Sequence, residues 1–460
     1  MKSQAALTNG FYKTLFALAV PIILQNLIQT FVNILDTVMV GRLGSIEIAA
    51  VGLGNQIFFI LNLVLFGAGS GGAIFVSQFW GKRDTAGIKK ASALIVTVSL
   101  AVSLVFTIAA AVFPRALIGL YTSDLKVISV GAKYLRIVAL SYPVTALSLA
   151  YQITFKSTEH VCLPAVSTAI SLVTNIVFNA IFIFGLNIKV GALNIQTPSF
   201  GVAGAAGATF AARMCELLVL MSYSSSRKSD FPSRVGIKEL FCFDARFVCR
   251  VLKTAFPVVI NETLWGIGIS IQNAIFARVS TDAIAAFNIT NTVSQLTWVF
   301  FIGTGSAAAV IIGKNIGAGE TELARAYAGR FSWFMPISGA LLAILLIPLS
   351  LCLPFLFNVE RPIIRIARQM LLVTMCGYPL RAYSMLLSVG ICRSAGDTIF
   401  TMINDNIWMW LAAIPASSFC AFALKTPVWF VMACFEFSQV FLCATGVLRV
   451  RSGKWLHKLT

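Results

Sequence analysis

Ionisable side chains are scarce inside the long apolar stretches of this chain, and the few present are where chemistry could reside. Asp36 is the only carboxylate of the first stretch, and Glu216, Glu262, Asp405 and Glu436 lie in later ones. A charge in hydrocarbon is costly and marks pairing, ion binding or proton transfer. Asn175 and Asn179 stand four residues apart and so share one helical face. Thr209 adds a hydroxyl in the next stretch. A carboxylate with amide carbonyls and a hydroxyl would make an oxygen-rich set for a hard cation; separate helix–helix hydrogen bonds are the alternative. Arg213 precedes Glu216 by three residues, a spacing that allows an ion pair on one helix. Glu262 lies about a turn and a half past Pro257 on an otherwise apolar helix, an unpaired carboxylate and a candidate for substrate or proton coupling. Asp405 is read as sitting at the headgroup level near a helix start.

Other chemistries find little support. The two His residues, His160 and His457, fall in a loop and in the tail, whereas a membrane-embedded enzyme would need an intramembrane His, paired carboxylates or a Ser/Lys dyad. No enzyme is expected. The ten Cys form no CxxC pair and lie mostly in apolar runs, Cys352, Cys376 and Cys434 among them. They are read as buried thiols acting as small hydrophobes rather than as zinc ligands or disulfides. No cofactor is expected.

The elements that must position these residues are membrane helices. Of 460 residues 58% are hydrophobic and 11% charged, with a mean hydropathy of +0.87. Only a bilayer can take up that much apolar side chain, at about 20 residues per spanning helix. Twelve apolar runs separated by short charged loops give helices near 14–40, 46–79, 91–113, 127–154, 162–185 and 201–223, then 248–277, 283–313, 326–357, 367–392, 399–423 and 427–448. The fold class is all-α and polytopic. The net charge of +18 reflects loops that face the cytoplasm and not nucleic-acid binding. With both termini inside, the ends and even-numbered loops hold about twice as many Lys and Arg as the odd loops. That bias and the even helix count place both termini in the cytoplasm.

The chain repeats itself. At an offset of 236 residues (Pro257 less Pro21), Pro21 meets Pro257, Arg42 meets Arg278 and Asn55 meets Asn291. Ile48-Ala49-Ala50 meets Ile284-Ala285-Ala286, Gly81 meets Gly317, and Tyr142-Pro143 meets Tyr378-Pro379. Two like-oriented six-helix lobes follow, at 1–223 and 247–460, joined by a cytoplasmic linker at 224–246, with a substrate path expected between lobes. Gly67-Ala-Gly69-Ser-Gly71-Gly72 fits a dinucleotide pattern literally, but it sits inside an apolar helix. Close helix packing explains it, as it does Gly201 to Gly207. Pro21, Pro143, Pro257 and Pro379 would kink their helices or serve as hinges.

In order along both halves, several segments resemble the multidrug and toxic compound extrusion (MATE) family. They are PIILQNLIQTFVNILDTVMVGRLG from Pro21 to Gly44, QFWGKRD ending at Asp84, NIVFNAIFIFG from Asn175 to Gly185, GVAGAAGAT ending at Thr209, ICRSAGDT ending at Thr398, and RVRSGKW. The resemblance covers nearly the whole chain. It implies export of cationic or amphipathic small molecules in exchange for Na⁺ or H⁺, by a monomer in the plasma (inner) membrane. It also implies a cation site at Asp36, Asn175, Asn179 and Thr209, where Asn179 replaces the second Asp of many members. Trp265 stands where one branch has a helix-seven Glu. Trp265, Trp298 and Phe301 would either line a cavity for cationic drugs or pack in the core. The rival readings are a lipid-linked precursor flippase of the related superfamily and, more remotely, a membrane-embedded enzyme.

Overall fold

The computed structural model describes residues 4–185, 187–190, 193–196, 198–225, 244–356 and 359–460. The helices are α1 (Gln4–Gly41), α2 (Ser45–Lys82), α3 (Thr85–Val112), α4 (Leu125–Val138 with Ser141–Ser157), α5 (Cys162–Phe184) and α6 (Gly201–Ser225). They continue with α7 (Ala245–Val279), α8 (Thr281–Gly317), α9 (Thr321–Leu356), α10 (Arg361–Arg393), α11 (Thr398–Ala423) and α12 (Val428–Arg451). Among the described residues eleven are each long and apolar enough to cross a bilayer, and α4 makes twelve if its two segments form one span. All twelve expected spans are present as helix. The expected linker at 224–246 lies largely outside the described residues.

Local sequence explains several boundaries. Asp84 caps α3 by accepting the Gly87 N–H at 2.9 Å, and Ser280 caps α8 by accepting the Ala283 N–H at 3.0 Å. The segments of α4 meet at 48°. Pro143 cannot donate to the Ala139 carbonyl one turn back. That carbonyl instead accepts from the Tyr142 N–H at 3.1 Å and from Thr107 Oγ1 on α3 at 3.2 Å. Between α5 and α6 the chain makes a short antiparallel ribbon, β1 (Asn187–Val190) against β2 (Leu193–Gln196), with Asn187 opposite Gln196.

The chain forms two compact units. One comprises Leu24–Val76 and Asp84–Leu252; the other comprises Met1–Ile23, Ser77–Arg83 and Lys253–Thr460. The core of the first gathers Leu61, Leu65, Leu135 and Tyr142, with Phe58 stacked on Tyr142 at 5.7 Å. In it Gly69 lies against Ile153 and Gly72 against Ile95, so the glycine-rich run of α2 serves helix packing. In the second unit Phe276 stacks on Phe287 at 4.6 Å. The end of α2 crosses the end of α8 there. A Cβ on Gly81 would overlap the Lys314 carbonyl, and one on Gly317 would overlap the Gln78 carbonyl. The tail folds onto the same region: Trp455 is fully buried, and Gln78 bonds to both the His457 carbonyl and the Leu459 N–H.

The thiols depart from the buried reading. Cys352 and Cys376 are exposed on the protein surface and Cys434 is half-buried. They belong to outward faces rich in exposed apolar side chains such as Leu341, Ile344 and Leu345 of α9, whose solvent is lipid rather than protein.

Candidate functional site

Within the first unit, α1, α4, α5 and α6 each carry polar residues at helical spacing. On α1 these are Gln25, Gln29, Asn33 and Asp36; on α5, Thr168, Ser171, Asn175 and Asn179; on α6, Thr209, Arg213 and Glu216. Steps of three and four residues keep each set on one face. Two clusters result, one at each end of the α1 stripe.

At the first, Asn179 Nδ2 donates to Asp36 Oδ1 at 2.5 Å and to Asn175 Oδ1 at 3.0 Å. Both amides are 1% exposed, and Asn179 Oδ1 is buried with no hydrogen-bond partner. A buried acceptor left so costs about 1–3 kcal/mol. Ser171 Oγ donates to the Ala212 carbonyl at 3.1 Å, which sets the register of α5 on α6. One turn farther along, that register brings Thr209 level with Asn175. The Thr209 hydroxyl itself donates to Ala205 O of its own helix at 3.0 Å and is not bonded to Asp36. The structure therefore brings three of the four expected residues into hydrogen-bond contact and sets the fourth beside them.

At the second cluster, Glu216 is 1% exposed and well satisfied. Its Oε1 accepts from Gln152 at 3.0 Å and from Thr168 at 2.9 Å, and its Oε2 accepts from Arg213 at 2.9 Å. Gln25 donates to Gln152 at 2.8 Å and to Thr168 at 3.2 Å. The ion pair expected from the three-residue spacing of Arg213 and Glu216 is present.

The second unit holds a related arrangement. Asn261 and Ser388, the repeat equivalents of Gln25 and Gln152, both donate to Asp405, at 3.1 and 2.7 Å. Asn406 donates to Asn261 Oδ1 at 2.6 Å. Asp405 is thus a bonded member of the helix bundle and not a free headgroup carboxylate. Glu262 is likewise not unpaired, because buried Arg393 donates to it at 2.8 Å. Arg381 and Glu436 pair through two guanidinium nitrogens. Spacing could not have found these partners, which lie on different helices. Trp265 and Trp298 stack in parallel planes 6.0 Å apart, both half-buried. Phe301 is 1% exposed and packs on Tyr378, so it belongs to the core. Where the first unit has Asp36, the repeat places Gln272, which donates to the Met432 sulfur. Among the described residues no group of three or more His, Cys, Asp or Glu could hold a metal ion. The Asp36 cluster has one carboxylate and neutral oxygens, a donor set for a monovalent cation or a proton and not for a divalent metal.

Comparison with known proteins gives the same two-fold repeat. The MatE family model matches residues 21–181 and again 257–417, with the offset already found in the sequence. The probable multidrug resistance protein YoeA of Bacillus subtilis is 24% identical over 407 residues, covering 88% of this chain and 86% of that protein. The multidrug and toxin extrusion protein 1 of Xenopus tropicalis is 24% identical, covering 93% of this chain and 72% of that protein. A crystal structure of a variant of the Vibrio cholerae MATE transporter VcmN superposes with a TM-score of 0.88 at 16% identity, covering 99% of each chain. Similar solved structures include MATE proteins in bent, straight and outward-facing conformations. With both halves matched by the family model and the twelve-span fold in place, the chain belongs to the MatE family of multidrug and toxic compound extrusion transporters and is not an enzyme.

Proposed function

We propose that this chain is a cation-coupled antiporter that exports cationic or amphipathic small molecules, with Asp36, Asn175, Asn179 and Thr209 as its ion site. The observation that carries this reading is the buried Asn179 amide, which donates to Asp36 and Asn175 while its own oxygen has no partner. A cation entering beside Asp36 displaces the Nδ2 donor. Turning the amide brings Oδ1 toward the ion, next to the Asp36 and Asn175 oxygens. A proton on Asp36 would likewise find Oδ1 as its acceptor. The names of the relatives support drug export, and the bent, straight and outward-facing conformations of solved MATE proteins support alternating access, with 1–223 and 247–460 as the moving lobes. On this reading both termini face the cytoplasm and the protein works as a monomer in the plasma membrane. Against the flippase reading, both intramembrane arginines, Arg213 and Arg381, are neutralised by carboxylates rather than held for a polyanion.

The test is Asp36→Asn, reconstituted in vesicles and supplied with ethidium under separately imposed Na⁺ and H⁺ gradients. The variant is expected to express and fold but to lose ion-driven export. Export at the unsubstituted rate under either gradient would remove Asp36 from the coupling site.

A further inference from the structure

Arg213 is held differently from Arg381 and Arg449, which each grip a carboxylate with two nitrogens. Arg449 holds Asp397 at 2.7 and 3.1 Å, and Arg381 holds Glu436 in the same two-pronged way. Such forked pairs are fixed in geometry. Arg213 instead uses Nη1 alone, shared between Glu216 Oε2 at 2.9 Å and Gln29 Oε1 at 3.2 Å. Its side chain is 14% exposed. If the guanidinium left, Gln152 and Thr168 would still donate to one Glu216 oxygen, but the buried carboxylate would lose its counter-charge.

Arg213 is also rooted between the two clusters. It lies one turn from Thr209, which is level with Asn175, and one turn from Glu216 on the other side. Polar side chains line the way: Gln29 accepts from Arg213 and donates to Asn33 at 3.3 Å, and Asn33 lies three residues before Asp36.

We propose that Arg213 is a tethered cation that exchanges between Glu216 and Asp36, competing with the transported ion for the Asp36 carboxylate. This rests on the reading of Asp36 as the coupling site. When the ion is absent, Arg213 leaves its seat on Glu216 for part of the time and neutralises Asp36 in place of the Asn179 donor. When the ion binds, Arg213 returns to Glu216 through Gln29. Arg213 is a positioning residue for the ion, and Glu216 is the place where it is held out of the way. Asp36 is then neutralised in both states, by the ion or by Arg213.

The experiment measures ethidium export from proteoliposomes while the driving ion is titrated, as Na⁺ at fixed pH and as pH without Na⁺. Glu216→Gln releases Arg213 to compete at Asp36, so the ion requirement for half-maximal export rises about tenfold, within the usual range of coupling between sites. Arg213→Gln removes the competitor, so the ion requirement falls by about the same factor. Damage to folding does not tighten ion binding, so this second variant separates exchange from a structural role. In the double variant Glu216→Gln has nothing left to release, and the value stays at that of Arg213→Gln. A double-variant cycle with no such interaction, or an unchanged ion requirement in Arg213→Gln, overturns the exchange. Asp36→Asn run alongside separates the two readings. Ion-driven export that survives in it defeats the coupling site itself, and with it the exchange. Export lost there but no epistasis between Arg213 and Glu216 defeats only the exchange.

Discussion

Asn179→Asp perturbs the ion site with almost no change of shape. In the protein as it stands, Asn179 Nδ2 donates to Asp36 at 2.5 Å and to Asn175 at 3.0 Å. The substitution replaces this donor by an anionic oxygen. Two unit charges about 4 Å apart repel by about 4 kcal/mol at an effective dielectric constant near 20. A charge-assisted hydrogen bond worth about 1.5–3 kcal/mol is lost from the same ion-free state. Both changes destabilise the empty site, and both are relieved when a cation enters. At about 1.4 kcal/mol per tenfold, the repulsion alone sets a ceiling near three decades of affinity. A proton shared by the two carboxylates hides much of this at low pH. The gain in Na⁺ affinity should therefore grow as pH rises, reaching at least about tenfold near pH 9. Turnover should slow in parallel, because the ion leaves less readily. Equilibrium ²²Na⁺ binding to the purified protein from pH 6 to pH 9, with export rates from the same preparation, gives both quantities. A folded variant whose Na⁺ affinity is unchanged or weaker across that range would refute the argument that Asn179 faces the ion with Asp36.

The remaining expectations concern the second unit and the topology. Glu262→Gln removes the carboxylate from buried Arg393, and breaking a buried pair costs up to about 3–5 kcal/mol. Its main effect should be a lower thermal unfolding temperature, with any export loss tracking the loss of folded protein. A fully stable variant with altered drug binding would return Glu262 to a coupling role. Cysteines introduced at Ser226 and Lys454 should react with membrane-impermeant thiol reagents only when the cytoplasmic face is open; labelling from outside intact cells would invert the topology.

What the sequence made legible follows from the reach of its signals. Apolar run length fixed all twelve spans, because the bilayer demands continuous helix wherever the chain crosses it. The 236-residue offset exposed the two-fold repeat without any coordinates. The three-residue step from Arg213 to Glu216 gave their ion pair, since both lie on one helix. Glu262 and Arg393 are 131 residues apart, and no periodicity connects them, so Glu262 looked unpaired. Asp405 looked peripheral for the same reason, its partners Asn261 and Ser388 being on α7 and α10. The bend in α4 was hidden within one apolar run. Pro143 marked a place where a bond must be lost, but not that the Tyr142 N–H and the Thr107 hydroxyl from α3 would replace it. The ribbon at Asn187–Gln196 has its signal in two short runs rich in β-branched and amide residues separated by two residues.

The crossing of α2 and α8 carries a further consequence. Gly81 and Gly317 are equivalents in the repeat, and so are Ser77 and Gly313. Gly81 makes room for the backbone at Lys314, Gly317 for the backbone at Gln78, and Gly313 faces the Ser77 hydroxyl. Residues thus meet the equivalents of their own neighbours across a local two-fold axis. That is the geometry of an isologous contact, the kind made when two copies of one chain form a closed dimer. Here both copies are in one polypeptide, so the self-complementary surface cannot dissociate or mispair with a different partner. The two copies also differ at this contact, Ser77 on one side answering to Gly313 on the other, which no dimer of identical chains could do.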